Sequence, residues 1–221
     1  MEYMKAFKNL LFPTRNTCYF CRQNVQIIEQ FICDDCRAYL EEVHKEVDMD
    51  SIYMEKAYYA LIYSRLARDM VKDFKFHGKS YLYRPFGEIM METIKEHSIH
   101  NNIHIIFFVP SHRRKEAIRG YNQSELLAKY ISKSFNIPMS NNNLIKTKHT
   151  KDQNKLSKQD RLTNLDKVFK LKNRDEVKDK NILLIDDIIT TGTTMIQCAK
   201  ILIENGAKEV RGLALTSSKK I

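Results

Sequence analysis

The sequence predicts an α/β domain, a mostly parallel sheet flanked by helices, with a small cysteine-bearing appendage at its N-terminus. Three observations carry this prediction. Ile182-Leu183-Leu184-Ile185 is an unbroken apolar run that leads into Asp186-Asp187 and a Thr/Gly turn, and a new apolar helix begins at Met195. A run without alternation is what a strand buried on both faces requires, and a strand–turn–helix order belongs to parallel sheets. Residues 103–109 (IHIIFFV) form a second such run, closed by Pro110. Ahead of both, Cys18, Cys21, Cys33 and Cys36 stand in the spacing C-x2-C-x11-C-x2-C, while Cys198 stands alone.

The 221 residues suit one α/β domain plus a small appendage, and 43% of them are apolar, enough for a core. No run approaches the ~18 apolar residues of a membrane-spanning helix, and the first residues lack the apolar stretch and cleavage site of a secretory signal. A cytoplasmic protein is expected. The formal charge is +10, from 37 basic and 27 acidic residues. That excess favours a phosphorylated ligand, nucleic acid or another anionic surface without choosing among them. Two C-x2-C knuckles can present four thiolates to one tetrahedral ion, and a reducing compartment favours this over a disulfide pair or a redox C-x-x-C. A structural Zn2+ ribbon is the expectation. Four sulfur ligands leave no open position, and metal binding would supply folding free energy to the first ~40 residues, too few for a core of their own.

Along the chain, residues 1–13 read as a short amphipathic piece, with Tyr3, Met4, Phe7, Leu10 and Leu11 at helical spacing before Pro13. Asp34 or Asp35 is placed to cap a helix, and the acidic residues 41–50 read as a solvated connector. The expected domains are therefore 1–50 (N-terminal helix and four-cysteine zinc ribbon) and 51–221. Residues 57–63 (AYYALIY) read as a strand, which favours core over stacking roles for Tyr58, Tyr59 and Tyr63. Ser64 can cap a helix through Leu66, Met70, Val71 and Phe74, and Pro85 suits the first turn of the next. His97, His100 and His104 punctuate a stretch that reads as a solvated loop rather than a metal site. Residues 111–123 then form a basic loop with Arg113, Arg114, Lys115, Arg119 and Gly120, followed by a helix through Leu126, Leu127, Tyr130, Ile131 and Phe135. Residues 146–161 are basic and poor in apolar side chains, as in a lysine-rich surface loop. Met195, Ile196, Ala199, Leu202 and Ile203 line a helix ended by Gly206, residues 210–215 form a last strand, and Cys198 reads as an inert core thiol.

The turn after the central strand describes its own ligand. A helix N-terminus offers unpaired N–H groups to a phosphate, whereas two acids beside it would repel that phosphate unless they hold sugar hydroxyls or a divalent metal. DDIITTGTT behind ILLI resembles the signature of type I phosphoribosyltransferases, which bind phosphoribosyl pyrophosphate (PRPP). The resemblance implies that Asp186 and Asp187 hold the ribose hydroxyls and help organise Mg2+, and that Thr190, Thr191, Gly192, Thr193 and Thr194 wrap the 5′-phosphate. It implies the type I phosphoribosyltransferase fold and a hood over residues 146–161. Hypoxanthine and guanine enzymes of that class carry an aspartate where this chain has Thr190, which counts against those acceptors.

A second stretch narrows the resemblance. V-P-S-H-x-x-R-x-x-x-x-R-G-Y-N-Q-S-E-L-L-A, from Val109 to Ala128, is similar to the ComF family of bacterial competence proteins, in which a four-cysteine zinc finger precedes a phosphoribosyltransferase-like domain. Thr150, Gln153, Leu156, Arg161, Asn164 and Phe169 extend the similarity. It implies a pyrophosphate loop of Arg113, Arg114, Arg119 and Gly120, a role in DNA uptake and transformation, and single-stranded DNA and a competence helicase as partners. Whether the protein transfers a phosphoribosyl group, senses PRPP without turnover, or serves as a DNA-binding accessory is left open by the residues.

Overall fold

The computed structural model describes residues 17–24, 31–54, 56–147 and 168–218. The amphipathic reading of residues 1–13, nearly all of the expected hood, and the resemblance at Thr150, Gln153, Leu156, Arg161 and Asn164 lie outside the described residues. The chain divides into two compact units, Met1–Tyr39 and Leu40–Ile221.

In the first unit the four cysteines converge. Helix α1 (Asp34–Ala38) starts immediately after Cys33, whose sulfur accepts the Cys36 N–H and so caps the helix. This corrects the expectation of an aspartate cap; Asp34 and Asp35 occupy the first turn instead, where their charge suits the positive end of the helix. The Tyr19 and Phe31 rings pack at 5.2 Å.

The second unit is built on a five-stranded sheet in the order β1-β2-β7-β6-β3, with β1 (Glu42–Asp48), β2 (Lys56–Ile62), β3 (Ile105–Phe108), β6 (Asn181–Ile189) and β7 (Glu209–Ser217). The β1–β2 pair is antiparallel, and β2–β7, β7–β6 and β6–β3 are parallel. Ile182, Leu183, Leu184 and Ile185 are fully buried, as an unbroken apolar run in a central parallel strand requires. A separate antiparallel pair, β4 (Leu144–Lys146) and β5 (Phe169–Leu171), flanks the sheet.

Edge strand β1 corrects the expected connector over residues 41–50. Its acidic side chains hid a strand in which Val47 is buried and Glu46 pairs with Lys56 at 2.6 Å. Charge on an outer strand is the ordinary device that blocks edge-to-edge pairing, so polarity here marks an edge rather than a linker.

Helix α2 (Arg65–Phe76) is capped by Ser64 and buries Ala67, Val71 and Phe74, one stripe of a helix. Helix α3 (Tyr83–Glu96) accepts Pro85 in its first turn, where no intrahelical N–H bond is lost. Of the histidines that follow, His104 is exposed, as a solvated stretch requires, whereas His97 and His100 are half-buried, a correction for those two. His100 stacks on Phe135 at 5.1 Å, and His104 Nδ1 accepts the Asn181 N–H at 3.0 Å. The basic stretch 111–123, expected as a loop, contains a short helix, α4 (Arg113–Arg119), capped by His112 and ended by Gly120 at φ 83°. Its polar composition masked a helix of about two turns that buries no side chain. Helix α5 (Gln123–Phe135) and helix α6 (Thr193–Glu204) complete the layers. Tyr58 and Tyr59 are buried, as a core role requires.

Gly212 in β7 lets α6 and β2 close on the sheet. A Cβ there would lie 2.9 Å from Ala57 Cβ and from Met195 Cε, and 3.0 Å from Met54 Sδ. Gly212→Ala is expected to cost about 1–3 kcal/mol through overpacking, read as a lower urea midpoint at unchanged slope.

Candidate functional site

The carboxylates of Asp186 and Asp187 sit near the C-terminal end of β6, both almost buried. Successive strand residues face opposite ways, so the pair draws partners from both sides. Asp186 Oδ1 accepts the Ser124 hydroxyl at 2.9 Å and the Asp187 N–H at 2.8 Å. Asp187 Oδ2 meets Lys75 Nζ at 2.9 Å, in a pair whose side chains are both largely buried. Burial pushes the Asp186 carboxyl up to about 7, and the neighbouring Asp187 charge adds to this against Lys75 and the two hydrogen bonds. Two buried carboxylates and one lysine leave the site short of positive charge.

Beyond the acids the chain turns through Thr190 and Thr191, both exposed, into α6. Gly192 is the N-cap at φ 78°, a conformation that suits glycine, and a Cβ there would also meet Met49 Cε at 2.3 Å. Thr191 Oγ1 and Thr193 Oγ1 bond at 2.7 Å. The N-cap residue Gly192 has no side chain to cap α6, and Thr191 Oγ1 accepts the Thr193 N–H at a long 3.4 Å, so the helix N-terminus with its turn hydroxyls follows the acid pair in the chain. That arrangement favours an anion at the turn and a cation or hydroxyl group at the acids.

The residues of R-G-Y-N-Q-S act as fasteners around this pair. Tyr121 Oη and Gln123 Nε2 donate to the Phe74 carbonyl at 2.6 and 3.1 Å, fixing the end of α2 that carries Lys75. Asn122 Nδ2 donates to the Val109 carbonyl at 3.1 Å, while its Oδ1 accepts the Ser124 N–H at 3.1 Å and caps α5. One motif thus positions both Lys75 and Ser124. Asn122→Ala should destabilise the protein by about 1–2 kcal/mol through loss of the cap, seen as a lower Tm.

The four basic-loop residues do not gather at one point. Arg113 lines an open cavity of about 550 Å³ with Ser111, His112, Lys146, Thr147 and Lys172. Arg114 is exposed, and Arg119 is turned onto the Phe76 ring at 4.7 Å and toward Gln123 Oε1 at 3.3 Å. Gly120 closes α4 with open space about its Cα. Burial pulls Lys146 below the usual lysine range, and the Lys115 charge acts in the same direction. Sequence reasoning missed Lys75, Ser124 and the cationic lining from Lys172. Only Ser124 carried a sequence signal, lying inside the motif from Val109 to Ala128. Cys198 is buried and burial raises its thiol well above the ordinary range, as an inert core thiol requires.

In the first unit the sulfurs of Cys18, Cys21, Cys33 and Cys36 all lie within 4.8 Å of one another, and Cys21 Sγ is 3.8 Å from Cys33 Sγ. A tetrahedral ion with bonds of about 2.3 Å sets its sulfurs roughly 3.8 Å apart, so the cluster fits such an ion. Cys18 Sγ accepts N–H groups of Phe20 and Cys33, each at 3.4 Å. Burial opposes ionisation of Cys18, yet these backbone donors and that of Cys21 bring its thiol down to about 7. None of the five cysteines forms a disulfide, and the cluster can hold a metal ion. Among the described residues no helix is long and apolar enough to cross a membrane.

Residues 122–219 match the family model for the phosphoribosyl transferase domain, which spans β6, the acid pair and α6. The fold is that of this class, a mixed sheet flanked by helices. The chain is 26% identical over 219 residues to competence protein F of Haemophilus influenzae, covering 89% of this chain and 96% of that protein. It is 28% identical over 206 residues to competence protein ComFC of Bacillus subtilis, covering 89% and 82%. DNA utilization protein YhgH of Escherichia coli O157:H7 is 33% identical over 106 residues, 48% of this chain and 46% of that protein. The chain is a homologue of the ComF-type competence proteins and carries a phosphoribosyl transferase domain.

Proposed function

We propose that this protein binds PRPP with Mg2+ at the β6–α6 turn and serves bacterial DNA uptake. The observation that supports it most is the buried Asp186–Asp187 pair followed, across a short Thr-bearing turn, by a helix whose N-cap is a glycine without a capping side chain. In this reading the carboxylates take the ribose hydroxyls and order the cation, and the α6 N-terminus with Thr190, Thr191, Gly192, Thr193 and Thr194 takes the 5′-phosphate. Arg113, with Lys146 and Lys172 in the same cavity, meets the pyrophosphate; Arg114 and Arg119 join only by turning from their present positions. Bound Mg2+ would offset the excess negative charge of the acid pair and of the pyrophosphate. The four cysteines hold Zn2+ in a closed structural site. The competence and DNA-utilization names of the relatives support the cellular role.

Asp186 gives the binding a pH dependence. The acid must be ionised to hold a cation, and its carboxyl is pushed up to about 7. Affinity for PRPP with Mg2+ should therefore fall about tenfold between pH 8 and pH 6, read by isothermal titration. Thermal denaturation tests the reading itself: PRPP with Mg2+ should raise Tm, and PRPP without a divalent ion should not. An unchanged Tm at millimolar PRPP and Mg2+ would count against the assigned site.

A second reading is favoured by the +10 charge: single-stranded DNA binds directly along the basic surface. That affinity should fall steeply with salt, and a flat dependence in a fluorescence titration would remove it.

A further inference from the structure

Strand β1 carries a second group of metal-ligating side chains, separated from β6 by β2 and β7 in the sheet order and so about 14 Å across it. Glu42 and His44 come from β1 and Glu92 from α3, and one ligand atom of each lies within 4.8 Å of the other two. His44 Nε2 is 3.6 Å from Glu42 Oε2 and 3.9 Å from Glu92 Oε2. The other ring nitrogen, Nδ1, is 2.8 Å from Oγ1 of the fully buried Thr93.

The surroundings hold the imidazole in this pose. The β1–β2 register shifts between Glu42 and Lys45, and His44 adopts a left-handed φ of 43°, uncommon for a residue with a side chain. The His44 carbonyl accepts Nε2–H of His97, whose ring packs on Tyr58 at 4.9 Å. With the His44 proton on Nδ1 and donated to Thr93, the Nε2 lone pair faces two carboxylates. Three ligand groups, one neutral and two anionic, then converge on one point, an arrangement that a shared cation stabilises.

We propose that Glu42, His44 and Glu92 form a binding site for a first-row divalent cation, with Thr93 as the residue that orients the imidazole. One imidazole and two carboxylates suit Mn2+ or Zn2+, whereas four thiolates select Zn2+ and a sugar-phosphate site suits Mg2+. Metal bonds of about 2.1 Å place ligands roughly 3.0–3.4 Å apart, so the two glutamates close on His44 Nε2 from 3.6 and 3.9 Å and on each other from within 4.8 Å, a movement of side-chain rotamers rather than of the backbone. The Glu92 side chain is 37% exposed, which gives the ion a route from solvent and leaves its remaining positions to water. The bound ion would tie edge strand β1 to α3.

The test uses Mn2+ alone on the full-length protein with its cysteine cluster zinc-loaded. Electron spin-echo spectroscopy should show one bound Mn2+ with nitrogen coupling from a single imidazole. His44→Gln should abolish the coupling, and Asp186→Asn with Asp187→Asn should leave it intact. Glu92→Gln, at the rim, and Thr93→Val, isosteric but without the hydroxyl, should each weaken Mn2+ binding about tenfold or more at little cost in Tm. Absence of nitrogen-coupled Mn2+ would overturn the proposal. Coupling that survives His44→Gln, or affinity unchanged in Glu92→Gln, would overturn it equally.

Discussion

Cys33→Ser, or exhaustive chelation, should unfold the four-cysteine unit while leaving the five-stranded sheet of the second unit folded. The expected loss is large, because the described part of that unit has one five-residue helix with no buried residue and little apolar burial to replace the metal. Structural zinc in such units contributes an apparent ~10–16 kcal/mol at neutral pH. Cys33 also caps α1 and lies 3.8 Å from Cys21 Sγ, so its replacement removes a ligand and a cap together. Elemental analysis should find one zinc per wild-type chain and none in the variant, with proteolysis confined to the N-terminal unit. A metal-free wild type with an intact, protease-resistant N-terminal unit would contradict this.

Asp186→Asn with Asp187→Asn should weaken PRPP binding in the presence of Mg2+ by ~100-fold or more, about 2.7 kcal/mol. The same change separates function from stability. Asp186 is raised toward 7 in the folded protein, so the folded state binds more protons than the unfolded chain between the two values. Its contribution favours folding at low pH and is lost as pH rises through about 7, where a buried charge must be carried. Asp186→Asn should therefore raise Tm at pH 8, by an amount that shrinks toward pH 5. Asparagine still offers an oxygen to the Asp187 N–H and the Ser124 hydroxyl, so the hydrogen bonds need not be lost. A variant less stable than wild type at pH 8 would show that the acid is not under strain.

Much of this was legible in the sequence for local reasons. Buried parallel strands announce themselves as continuous apolar runs, and the acids and the Thr/Gly turn are contiguous, so the strand end and the helix start were readable together. The cysteine spacing encodes a convergence that needs no knowledge of the rest of the chain. The missed features are edges or long-range pairings. Strand β1 is an outer strand whose acidic residues disguise it, and α4 is too short and too polar to show a periodic face. Lys75 meets Asp187 from the end of α2, where Tyr121 and Gln123 hold the Phe74 carbonyl, a tertiary contact with no local signature. Arg113 and Arg119 look equivalent in a basic stretch, but α4 separates them, one into the cavity and the other onto Phe76.

Calorimetric titration of the wild-type protein with PRPP at pH 8, with and without Mg2+, is the most direct test of the central claim. The account predicts saturable one-site binding that requires Mg2+ and disappears when Asp186 and Asp187 are both replaced by asparagine. PRPP affinity equal in the wild type and the double variant would contradict it.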